Sequence, residues 1–117
     1  MDAGMKSSGR DALRRIFEAA HYRVENLDEP LALSAYGDGE VLIAMISDDA
    51  QEIEQFNRTN YRLEEGDKTI VCKKVLFTLV DGRGVDNCIV WRKEDFMRYA
   101  GAAALATILG QRLDLQL

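Results

Sequence analysis

LALSAYGDGEVLIAMISDD, residues 31–49, decides how this chain folds. Its first part reads as a strand, Gly37-Asp38-Gly39 as a tight turn, and Val41-Leu42-Ile43-Ala44-Met45-Ile46 as a second strand with no polar residue in it. A strand with one solvated face alternates, whereas a strand covered on both faces does not. The second strand is therefore predicted at the centre of a sheet, with the rest of the chain laid around it. A helix start follows at once, with Ser47 or Asp48 as N-cap. Ala50, Ile53 and Phe56 would face inward, and Glu52 and Glu54 outward, where acidic residues in a first turn complement the helix dipole.

Upstream, Ser8 followed by Asp11 has the form of a capping box. Leu13, Ile16, Phe17 and Ala20 then recur at helical spacing, with Arg10, Arg14, Arg15 and Glu18 on the opposite face. This predicts an amphipathic helix ending near His21, which would meet the last carbonyls, and leaves residues 1–7 as a flexible tail. Residues 22–25 alternate as a short edge strand, and Pro30 closes the polar loop that follows.

Downstream, the state of residues 59–68 is open. Residues 69–80, TIVCKKVLFTLV, are β-branched and aromatic enough for one long or broken strand. Residues 81–84 read as a turn and 88–91 as the last strand, with Trp91 in the core. A final helix is expected over about 94–113. The sum is a single α/β domain over residues 8–117, a mixed central sheet flanked by helices in α-β-β-β-α-β-β-α order. In the final helix, residues 99–109 (YAGAAALATIL) are apolar or small all the way round. Two readings stay open: a helix jammed into its own core, or a homodimer surface built on Tyr99, Ala103, Ala104, Thr107 and Ile108.

Composition bounds the function. A chain of 117 residues, 47% apolar and 30% charged, makes one globular domain. No apolar run reaches the roughly 20 residues of a membrane span, and the first residues hold no apolar export segment, so the expected location is cytoplasmic. Cys72 and Cys88 stand apart and are expected as thiols; with one histidine in the chain, neither a structural zinc site nor any cofactor is expected. The net charge is −5, and residues 1–57 hold 12 Asp/Glu against 5 Lys/Arg. An acidic domain contacts nucleic acid only through a local basic patch. Lys73, Lys74, Arg83, Arg92 and Lys93, with Arg98, are the candidates, either as such a patch or as solvated faces. No nucleophile elbow, Walker loop, dinucleotide fingerprint or HExxH motif occurs.

The element order, the opening helix and strand over residues 9–25 (GRDALRRIFEAAHYRVE), and His21-Tyr22-Arg23-Val24 standing where a GYxV-type exit is expected together form a pattern. It resembles the restriction-endonuclease-like fold, the PD-(D/E)xK superfamily, in its Mrr-like and archaeal Holliday-junction-resolvase-like branches, over roughly residues 8–57. The resemblance implies that the 31–46 hairpin is where a metal-binding Asp and an acidic-x-Lys pair would sit. Here those positions fall at Ala32, Ala44 and Ile46. The expectation is a degenerate nuclease fold without catalytic equipment, acting as a dimeric binding or accessory factor for nucleic acid or a partner protein. Two alternatives remain. One is a Mg²⁺-dependent nuclease with relocated carboxylates (Glu40, Asp48 and Asp49, with Asp38 nearby). The other is a protein-interaction module unrelated to nucleic acid.

Overall fold

The computed structural model describes residues 3–80 and 84–117. The hairpin forms as β2 (Leu31–Gly37) and β3 (Glu40–Ile46), joined by Asp38 and Gly39, both at positive φ (53° and 74°). Two successive positive φ values define the turn whose twist matches a two-residue hairpin, and Asp-Gly is a sequence suited to it. The five-stranded sheet has the order β1-β2-β3-β6-β7, with β1 (Arg23–Asn26) and β7 (Ile89–Trp91) at its edges. β3 therefore sits in the middle, and every residue from Val41 to Ile46 is buried, as its unbroken apolar run requires.

The sheet is mixed. β2 runs antiparallel to β1 and β3, whereas β6 (Lys73–Phe77) is parallel to both β3 and β7. Parallel neighbours need a long crossover, and residues 47–72 supply it with α2 (Ala50–Arg58) and a separate two-stranded hairpin, β4 (Arg62–Glu65) and β5 (Lys68–Val71). The 69–80 segment is thus broken at Cys72, its first part pairing with β4 and its second joining the sheet. Asp81, Gly82 and Arg83, read as part of a turn, lie outside the described residues.

Alternation sorts the side chains into two cores. On one face Leu42, Ala44, Ile46, Val75 and Phe77 meet Leu13, Ile16 and Phe17 of α1 (Ala3–Ala19) and Ala103 and Ala106 of α3 (Lys93–Leu109). On the other, Val41, Ile43, Met45 and Leu76 meet Ile53 and Phe56 of α2, with Leu63 and Ile70 of the small hairpin alongside. An aromatic column ties the first core together. Phe17 stacks on Trp91 at 5.9 Å between ring centroids, and Trp91 on Tyr99 at 4.7 Å. Trp91 is the core residue expected of it.

Three element ends differ from the sequence reading. α1 begins at Ala3, so Ser8 lies inside it and residues 3–7, expected as tail, are its first turns. The N-cap of α2 is Asp49, which accepts from the amides of Gln51 and Glu52; Ser47 and Asp48 precede it, and Ala50 is exposed. α3 stops at Leu109 because Gly110 takes a left-handed conformation (φ 65°) that closes the helix. The chain then folds back. Leu113 is buried and donates its amide to the Ala19 carbonyl, and Arg112 reaches the Ala20 carbonyl and Asp38.

His21 does meet the end of α1, but through its backbone. At φ 66° it donates its amide to Glu18 O (2.9 Å), and the Tyr22 amide follows to Phe17 O (3.0 Å). This is the paired bonding of a Schellman motif, with histidine in the place glycine usually takes.

Candidate functional site

The hairpin positions that the resemblance marks as catalytic are interior. Ala32, Ala44 and Ile46 are all buried in the core beneath α1. Methyl and alkyl groups offer no electron pair, so these residues do not fit a divalent metal.

The carboxylates around the hairpin do not converge in their place. Glu40 opens β3 and Asp48 and Asp49 follow its other end, so the strand separates them by roughly 20–25 Å at about 3.3 Å per residue. Each is committed elsewhere. Glu40 accepts from Lys73 Nζ at 2.7 Å. Asp48 accepts from Thr78 Oγ1 (3.2 Å) and the Leu79 amide (2.9 Å), fastening the end of β3 to the end of β6. Asp49 is the α2 cap, and Asp38 pairs with Arg112. Among the described residues no three His, Cys, Asp or Glu side chains form a group that could hold a metal ion.

The basic candidates separate as well. Lys73 and Lys74 are neighbours on β6 and so point to opposite faces. Lys73 is the Glu40 partner. Lys74 is 5% exposed, and its ammonium donates to the carbonyls of Phe56 (2.8 Å), Asn57 (2.7 Å) and Thr59 (2.7 Å). It satisfies the last carbonyls of α2 and does not stand on a solvated face. Arg83 lies outside the described residues. Arg92 is the N-cap residue of α3 and Lys93 its first residue, exposed. Arg98 pairs with Asp95 at 3.3 Å and lies over the Tyr99 ring.

Beside Lys74, Asn57 organises the loop before β7. It is buried, donates to Gly84 O and Asp86 Oδ1, and accepts from the Asn87 amide. Cys88 lies against the same Asn57 oxygen at 3.7 Å, and burial pushes the thiols of both Cys88 and Cys72 above the ordinary cysteine range.

The sequence reading missed two cations at the open end of the hairpin. Lys6, Arg10, Glu29, Leu31 and Ile46 line a cavity of about 50 Å³ there. Lys6 lies 3.6 Å from Glu52, whose other contact is the Ser47 hydroxyl at 2.6 Å. The Arg10 Nε is enclosed and makes no hydrogen bond. Lys6 and Arg10 stand one helical turn apart, a signal hidden by placing the start of α1 at Ser8.

The C-terminal helix carries an open apolar surface. Tyr99 and Ala103 turn inward, Tyr99 onto Trp91 and Ala103 into the core. Ala104, Thr107 and Ile108 are exposed, and with Ala12, Ala19 and Ala100 they line a groove of about 670 Å³ between α1 and α3. On the outward side Met97, Leu105, Ile108 and Leu109 are 62%, 56%, 80% and 56% exposed. The helix is therefore not buried all round within its own chain. None of the described helices is long and apolar enough to cross a membrane. Comparison of this chain with protein-family models, with curated proteins and with solved structures gives no match.

Proposed function

We propose that this chain is a non-catalytic binding domain on a degenerate restriction-endonuclease-like scaffold, working as a dimer through α3 and serving as a binding or accessory factor. One observation bears most of the weight. The hairpin that would hold the catalytic groups of such a scaffold is intact as backbone, yet its key positions are the buried Ala32, Ala44 and Ile46. Phosphodiester hydrolysis on this scaffold needs a metal and a cation where charge develops on phosphate. Nothing at these positions supplies either. Glu40, Asp48 and Asp49 support strand and helix ends and lie too far apart to replace the missing set.

A second reading, a protein-interaction module unrelated to nucleic acid, is favoured by the fate of Lys74. With its ammonium spent on α2 and Lys73 spent on Glu40, the basic patch loses its two central members. The experiment that separates these readings is a gel series with duplex, single-stranded and branched DNA, run with Mg²⁺ or Mn²⁺ and with chelator, at low and moderate salt. A salt-sensitive shift without cleavage is expected of an accessory factor. Neither shift nor cleavage selects the interaction module, and metal-dependent cleavage defeats the non-catalytic reading.

A further inference from the structure

Helix α3 carries no charged side chain from Tyr99 to Leu109. Its inward side is set by Tyr99, Ala103 and Ala106, which places Met97, Gly101, Ala104, Leu105 and Ile108 together on the outward side at spacings of three and four residues. This stripe runs along the edge of the groove whose walls are Ala12, Ala19, Ala100 and Ala104. One face of the molecule thus presents both a ridge of large apolar side chains and an alanine-walled hollow of about 670 Å³.

We infer that this face receives the same face of a second copy, Ile108 of each protomer seating in the groove of the other, so that α1 and α3 of both make a four-helix layer. The inference rests on the dimer in the proposed function and names its surface and register. Three features select a second copy over an unrelated partner. First, ridge and hollow lie side by side, the requirement for an isologous contact in which one patch is its own complement. Second, the rim charges are Arg15 and Glu18 of α1, one turn apart. A two-fold axis across the groove sets the basic position of one protomer against the acidic position of the other. Arg15 has no ion-pair partner among the described residues, whereas Glu18 already pairs with Arg14 at 3.4 Å and would share its carboxylate between the two. Third, the chain has a net charge of −5, and copies of like charge repel least where the meeting faces carry little charge. The outward side of α3 beyond Arg98 is such a face. The four exposed side chains form a patch on the order of 500 Å², at the upper end of what a monomer leaves bare. With the groove walls added it stays below the roughly 800 Å² per partner of a standard interface, so the contact is a small one. Alanine walls let helix axes come close, so the buried area is well packed.

Sedimentation equilibrium over a hundredfold concentration range tests this, using the wild-type chain, Ile108→Glu and Ala104→Glu, with far-UV circular dichroism on each. Both substitutions are at exposed positions, so helical content should be unchanged. The wild type is expected as a dimer at micromolar concentration, and each variant as a monomer, with dimerisation weakened at least about 100-fold by burial of an unpaired carboxylate. A wild type that stays monomeric, or variants that remain dimeric, would overturn the proposal. A third variant, Arg15→Glu, should weaken the dimer, and Arg15→Glu combined with Glu18→Arg should restore part of it. No restoration rules out the assigned register. DNA cleavage in the gel series would defeat the functional reading and leave the oligomer result untouched, so the two fail separately.

Discussion

Lys74 shows how a side chain's role depends on what the fold places beside it. In sequence it stands next to Lys73 and reads as half of a basic pair. In space β6 turns the two to opposite faces and brings the end of α2 over Lys74, whose three N–H donors match three carbonyls. Lys74→Met keeps the alkyl stem and removes those donors from the Phe56 and Thr59 carbonyls, while the Asn57 carbonyl keeps the Asn87 side-chain amide at 3.3 Å. The expected loss is about 1–3 kcal/mol, read as a lower urea midpoint. If Lys74 instead bound phosphate in solution, the variant would change DNA affinity and its salt slope while leaving stability in place. Gly37 is a second single-residue constraint. A Cβ there would fall 2.3 Å from Cδ1 of the Tyr22 ring, which is itself buried against Phe17. Gly37→Ala is expected to cost about 1–3 kcal/mol by forcing ring or strand to move, whereas Gly39→Ala meets no atom and suffers only from its positive φ.

At the scale of elements, helix ends are set by backbone conformation. His21 ends α1 in a left-handed conformation that a Cβ disfavours. Its imidazole takes no part in the two amide bonds of the motif. His21→Gly is expected to raise stability by about 0.5–1 kcal/mol, the relief of strain outweighing the added freedom of the unfolded chain, and a thermal melt would read it as a higher midpoint. If the midpoint falls, the imidazole contributes a contact that the backbone bonds do not explain. Much of this architecture was legible in the chain itself. The apolar run of β3 marked the sheet centre, and Asp-Gly marked the turn, because pattern and turn chemistry act locally. A broken strand over residues 69–80 was among the readings, but the place of the break at Cys72 was not legible. Both halves have the same β-forming composition, and only the β4 partner, itself too charged to read as a strand, pulls the first half out of the sheet. The start of α1 was misplaced because a Ser-x-x-Asp pattern occurs inside helices as well as at their ends. The site was legible in a narrower sense. That Ala32, Ala44 and Ile46 are apolar is plain in the sequence, but the partners of Glu40, Asp48 and Lys74 come from other strands and helices and no local pattern announces them.

At the scale of the whole molecule, two thiols and two tyrosine hydroxyls share a direction. Burial raises the Cys72 and Cys88 thiols above the ordinary value of 9.0 and the Tyr22 and Tyr61 hydroxyls above 10.0. In every case desolvation of the anion is the leading cause, and for Tyr22 the neighbouring Glu40 and Asp38 carboxylates add to it. The consequence for stability follows from proton counts. Below pH 8 the folded and unfolded chains both keep these four protons, so their contribution is constant. Above about pH 9 the unfolded chain releases thiol protons that the folded chain retains, and above about pH 10 the tyrosine protons follow. Stability then falls with rising pH, since the unfolded state binds fewer protons than the folded one. The expected profile is a melting temperature that is level from pH 7 to about 8.5 and declines beyond it. Replacing both cysteines by alanine should delay the onset of decline toward the tyrosine range. A double variant that declines from the same pH as the wild type would show that the thiols are not the first groups to give way. Burial makes the native Cys72 thiol slow toward an aromatic disulfide reagent at pH 7, with full reactivity expected only once denaturant opens the core beneath α2, while the half-buried Cys88 reacts sooner.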